Sequence, residues 1–125
     1  MLKNKAVVEV LGQVNTSGCE GAWLFNKEGL LLAYVGAEQK KVSPNVSAAL
    51  IASVWQALER RSSDLKEIIL VLEEGVIACT LVARSMLLAI KANTSAEPGM
   101  VCAKLHALSK FLELPISSIN HDQSS

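Results

Sequence analysis

Excess charge of either sign is missing from this sequence. Twelve Lys and Arg balance twelve Asp and Glu over 125 residues. A neutral chain carries no electrostatic footprint for nucleic acid or for an acidic membrane surface. Cysteine is sparse: Cys19, Cys79 and Cys102 lie far apart, are odd in number and form no CxxC pair. That argues against a disulfide or zinc framework and for small thiols buried in a reducing compartment. No apolar run is long enough to span a bilayer, and the start does not read as a signal peptide. Leu2 after Met1 leaves no myristoylation signal, and the terminal Ser124-Ser125 leaves no prenylation signal. Attachment to a membrane is therefore expected only through another protein.

Chemistry-bearing motifs are equally scarce. Neither GxxxxGK nor GxGxxG occurs, and the glycines fall mostly at turns. His106, on an expected helix, and His121, near the end, are read as carrying neither a metal nor general-base work. Glu73-Glu74 reads as a solvated hairpin tip, too wet to shift a carboxylate pKa for catalysis. Lys40-Lys41 and Arg60-Arg61 read as solvated doublets, the second also complementing a helix dipole. The expectation is a protein with no catalytic residue, no cofactor and no metal.

What is present is hydrophobic pattern. Half of the residues are hydrophobic, which excludes disorder, and the length suits one domain. Val7, Val10, Leu11 and Val14 recur at helical spacing. GAWLFN (Gly21 to Asn26) and LLLAYV (Leu30 to Val35) read as strands around the turn Asn26-Lys27-Glu28-Gly29. A polar loop, Gly36 to Lys41, follows. Ser43-Pro44 is a good helix start, and that helix is expected to reach Arg61. Strands are expected at Leu65 to Leu72, Val76 to Ala83 and Ser85 to Lys91. A last helix carries Val101, Leu105, Leu108 and Leu112 on one stripe, and Pro115 is expected to end it. The order α-β-β-α-β-β-β-α, with hairpins between most strands, predicts an α+β three-layer sandwich: a five-stranded, mainly antiparallel sheet with helices on both faces. The last three strands barely alternate, so both of their faces need cover. One domain is expected over residues 1–119, with a flexible tail at 120–125.

The stretch AALIASVWQAL, Ala48 to Leu58, has almost no wet face. On a helical wheel Leu50, Ile51, Val54 and Leu58 share one arc with Ser47, which is expected against the sheet. Ala48, Ala52, Trp55 and Glu59 form a second stripe, which a monomer does not need. Its small residues would admit another helix closely, with Trp55 as anchor. The following strand holds Ile68, Leu70 and Leu72, lacks Pro, and has charges only at Lys66 and Glu67. At a sheet edge it would lack the usual protection against pairing. Together these two features point to a dimer whose sheets run on into one another.

MLKNKAVVEVLGQVNT, LFNKEGLLLAYVG, AALIASVWQAL, TLVARSMLLAIKA and AKLHALSKFLELPI, taken in order, resemble the roadblock family, named for a dynein light chain. The likeness spans Met1 to about Ile119. Within the family it is to the branch that serves the late endosomal and lysosomal adaptor for MAPK and mTOR signalling, the Ragulator. The resemblance implies a non-enzymatic scaffold that pairs with a second roadblock subunit as a heterodimer, through the second helix and third strand. On this chain that means Ala48, Ala52, Trp55, Glu59, Ile68, Leu70 and Leu72. It also implies a lipidated membrane-anchoring subunit, Rag GTPases as further partners, and a place on the cytoplasmic face of the late endosome or lysosome. Trp23 and Phe25 are bulkier than the family's usual aliphatics, and the linker Ser62-Ser63-Asp64 is shorter. Two other readings stay open: a homodimeric roadblock regulator of a small GTPase or dynein light chain, and an enzyme or small-ligand protein of similar shape. The last would require a well-formed pocket with His106 beside a carboxylate.

Overall fold

The protein's structure, a computed structural model, describes residues 19–36, 43–62, 64–83, 85–94 and 97–124, leaving aside the side chains of Pro98 and of 113–124. The expected first helix, with Val7 to Val14, and most of the loop after the first hairpin lie outside the described residues. Within them the order is β1 (Cys19–Asn26), β2 (Leu31–Gly36), α1 (Pro44–Glu59), β3 (Glu67–Leu72), β4 (Gly75–Val82), β5 (Met86–Asn93) and α2 (Pro98–Ser124).

The five strands form one sheet in the order β2-β1-β5-β4-β3, and every neighbouring pair is antiparallel. Strand β5 runs down the centre. Its Leu87 and Ala89 face α1, while Leu88, Ile90 and Ala92 face α2. Two apolar layers, one under each helix, explain why β4 and β5 do not alternate in sequence. Leu24, Ala78 and Ile90 pack under Val101, Leu105, Leu108 and Leu112 of α2, so the stripe read on that helix faces the sheet.

Local chemistry sets the element ends. The Ser43 hydroxyl accepts from Val46 N at 3.2 Å, capping α1, and Pro44 occupies its first turn. Asn26 Oδ1 accepts from the Glu28 and Leu30 amides at 2.9 and 3.0 Å, closing the β1–β2 turn. That tip is fastened to the end of α1. Lys27 Nζ lies 3.0 Å from Glu59 Oε2, and Gln56 Nε2 donates to the Lys27 carbonyl. Gly75, which opens β4 after Glu73-Glu74, has φ +148, and a Cβ there would stand 1.9 Å from the Ala92 carbonyl oxygen. Only glycine fits that close approach.

One expectation about the helices fails. Pro115 does not end α2, whose backbone stays helical to Ser124 and takes in most of the tail expected from Asn120. An internal proline removes one amide donor and crowds one carbonyl, which a long helix can absorb at a cost of about 3 kcal/mol.

Candidate protein-interaction surface

Strand β3 is an edge of the sheet, as its unprotected sequence requires for pairing. Among the described residues no strand pairs with it on the side away from β4. Side chains on it alternate: Ile68 is buried, Leu70 half-buried and Leu72 exposed on the face toward α1, while Ile69 and Val71 point to the α2 face. Val71 is 79% exposed. The strand is thus apolar and uncharged beyond Glu67.

Helix α1 carries the second part of the surface, and here the two stripes are exchanged relative to the sequence reading. Ala48, Ala52 and Trp55, expected to face a partner, are 0%, 1% and 0% exposed and belong to the layer packed on the sheet with Trp23, Phe25 and Leu87. Leu50 and Leu58, expected against the sheet, are exposed, Leu50 at 61%, with Val46 beside them. Ile51 stays buried at the border of both arcs, and Val54 is half-buried. The physical reason is size. Two alanines let the helix backbone settle close to the sheet, so the indole of Trp55 can fill the space beneath, whereas branched leucines would hold the helix off. A side chain that exposes nothing offers nothing to a partner, so Ala48, Ala52, Trp55 and the 6%-exposed Ile68 support the fold. Glu59 is half-buried and spent on Lys27. Of the residues expected at an interface, Leu70 and Leu72 remain accessible.

Between α1 and β3 lies a groove of about 140 Å³ lined by Ser47, Leu50, Ile51, Val54, Leu70, Leu72 and Ile77. Its walls are almost wholly apolar. With Val46 and Leu58 beside it, it forms one apolar surface running from the outer face of the helix to the edge strand. Contiguous exposed apolar patches of this kind mark interaction sites on small proteins.

A separate cluster was not visible in the sequence. His106 Nε2 contacts Glu67 Oε1, and the Cys102 thiol donates to Glu67 Oε2 at 3.7 Å. Cys102 sits one helical turn before His106, a spacing the sequence does display, but Glu67 is 39 residues away from the histidine. So His106 does stand beside a carboxylate, and its ring lines an open groove on α2. The arrangement does not make a nucleophile. Burial first, then the Glu67 charge and the hydrogen bond to it, push the Cys102 thiol up, the opposite of what a reactive cysteine needs. The cluster ties the start of the edge strand to α2. Among the described residues no group of three or more His, Cys, Asp or Glu is arranged to hold a metal ion. No described helix is long and apolar enough to cross a membrane.

Comparison with known proteins decides the family. The sequence model of the Roadblock/LC7 domain matches residues 7–92. The chain belongs to the Roadblock/LC7 family. It is 75% identical to a Caenorhabditis elegans protein named Ragulator complex protein LAMTOR2 homolog, over 98% of each chain. Among solved structures, the gliding protein MglB of Thermus thermophilus superposes with a TM-score of 0.81 at 21% identity, covering 94% of this chain and 93% of that one. A Roadblock/LC7 domain from Streptomyces avermitilis gives 0.75 at 16% identity, covering 88% and 97%. At such identities the roadblock structures share the fold, a five-stranded antiparallel sheet flanked by helices.

Proposed function

We propose that this roadblock chain is the second subunit of a Ragulator-type adaptor, a non-enzymatic scaffold that works by pairing with another roadblock subunit. The observation that carries the proposal is the apolar surface of α1 and β3, which an isolated monomer would leave in water. The 75% identity to the LAMTOR2 homologue supports the choice of complex. Pairing there would align two β3 edges and two α1 helices, covering Val46, Leu50, Leu58, Leu70, Val71 and Leu72. A specific interface of this kind buries about 1,600 Å² in total. In the proposed role the heterodimer is held at the late endosomal or lysosomal surface by a lipidated subunit. There it recruits Rag GTPases and contributes to their nucleotide exchange, and it scaffolds TOR and MAPK signalling.

Co-expression with the candidate roadblock partner, followed by size-exclusion chromatography with light scattering, tests the reading. A one-to-one heterodimer that Leu50→Glu breaks is the expected outcome. The substitution forces a carboxylate into a dry contact and should weaken binding by about 2 kcal/mol or more. A tight, soluble homodimer that ignores the partner would favour the homodimeric GTPase regulator instead.

A further inference from the structure

The outward face of α1 carries charge at one end only. From Ser43 to Leu58 no side chain is charged. Glu59 is half-buried and paired with Lys27. Arg60 and Arg61 follow, both exposed, and neither has an ion-pair partner among the described residues. The Leu58 carbonyl accepts from the Arg61 amide at 3.0 Å, which carries the last turn on. At about 100° per residue, Arg61 then falls on the arc of Leu50 and Val54. The other end of the helix begins with Ser43 and Pro44 and has no acid in its first turn. A helix start presents unpaired amides and about half a positive charge.

Pairing two β3 edges into one antiparallel sheet relates the subunits by a two-fold axis perpendicular to the sheet at the seam. Such an axis keeps both α1 helices on one face and sets them antiparallel. Leu70 of β3 shares its groove with Leu50 and Val54, so the middle of the strand lies beside the middle of the helix. Arg60 and Arg61 of one subunit therefore come to the first turn of the opposite helix. In a pair of identical chains this happens twice. Each time two guanidiniums meet the positive end of a helix with no carboxylate between them.

We infer that Arg60 and Arg61 set the choice of partner: they disfavour a second copy of this chain and select a roadblock subunit whose corresponding helix opens with Asp or Glu. The inference rests on the proposed pairing through α1 and β3. An acid in that first turn suits its own helix dipole and accepts paired hydrogen bonds from a guanidinium. The apolar contacts of Leu50, Leu70 and Leu72 carry no sign and suit either partner. Discrimination then comes from repulsion in the wrong pair together with attraction in the right one.

The test co-expresses this chain with the candidate roadblock partner and counts mixed pairs and self-pairs by native mass spectrometry. Both kinds of pair use the same folded chain, so a change in fold stability moves them together, whereas a change of preference moves their ratio. Arg60→Glu with Arg61→Glu turns repulsion into attraction in the self-pair and does the reverse in the mixed pair. The ratio of mixed pairs to self-pairs is expected to fall about tenfold or more, and to fall less at raised salt. Arg60→Gln with Arg61→Gln should fall about threefold, and it carries the test if the Glu variant forms no pairs at all. Replacing the partner's first-turn acid with Lys should restore the ratio for the Glu variant. A ratio blind to both double substitutions, an equal fall for Gln and Glu that salt does not change, or a partner lacking a first-turn acid would each overturn the inference. Leu50→Glu is the reference. A native chain that forms no mixed pair counts against the proposed function. A mixed pair that Leu50→Glu breaks but whose ratio ignores the arginines counts against this inference alone.

Discussion

Truncating Trp55 separates a core residue from an interface residue. Its indole is fully buried between α1 and the sheet, against the layer of Trp23, Phe25 and Leu87. An aromatic side chain of this kind removes about 150–250 Å² from water. At about 25 cal/mol per Å² that is worth about 4–6 kcal/mol. The indole N–H finds no acceptor among the described residues. Leaving such a donor dry costs about 1–3 kcal/mol, which truncation recovers. Trp55→Ala should therefore destabilise the fold by about 3 kcal/mol, within the range of about 3–5 seen for large aromatic truncations. Against a domain total of about 5–15 kcal/mol that is a large share. Leu50→Ala, on the outward arc, should cost under about 0.5 kcal/mol of fold stability. Urea denaturation followed by far-ultraviolet circular dichroism reads both variants without relying on the lost fluorophore. Protein concentration must be held fixed, because association adds to apparent stability. A Trp55→Ala chain destabilised by less than about 1 kcal/mol, yet unable to associate, would refute the assignment of the two arcs.

Other perturbations reach other links. Gly75→Ala should remove several kcal/mol or leave the chain insoluble, because the new methyl meets the Ala92 carbonyl and φ is +148; a soluble variant with an unchanged melting temperature would contradict this. Asn26→Ala should lose about 1 kcal/mol by freeing the Glu28 and Leu30 amides at the hairpin tip, read as a lower urea midpoint. Burial pushes the Cys79 thiol up to about 12 from its ordinary 9.0. The folded chain therefore keeps a proton that the unfolded chain gives up, so this contribution is whole below pH 9 and is lost between 9 and about 12, by about 1.4 kcal/mol per pH unit. Cys79→Ala should flatten that slope, and native Cys79 should resist thiol reagents that modify the unfolded chain.

Much of the fold was legible in the sequence because its signals are local. Ser43-Pro44 marked the start of α1, the Asn26–Gly29 turn marked the first hairpin, and unbroken apolar runs marked strands covered on both faces. Composition also showed that Ile68 to Leu72, with no charge and no proline, would be unprotected at an edge, but its edge position came only from the fold. The orientation of α1 was not legible. Both of its arcs are apolar, and a wheel ranks them by hydrophobicity, not by the distance at which each lets the helix sit on the sheet. Small Ala48 and Ala52 with one deep Trp55 face the sheet for that reason, with Ile51 buried at the border and Leu50 and Leu58 turned outward. The Glu67–Cys102–His106 cluster escaped because strand and helix meet only in the fold. Pro115 misled because its penalty is local while the helix holding it is long.

The central claim is that the apolar surface of α1 and β3 requires a second polypeptide. Light scattering on the purified chain, alone and co-expressed with a roadblock partner, tests this most directly. The expected result is that the chain alone associates or aggregates, and that co-expression yields a soluble heterodimer lost on Leu50→Glu. A stable, soluble monomer at high concentration, indifferent to the partner and to that substitution, would contradict the claim.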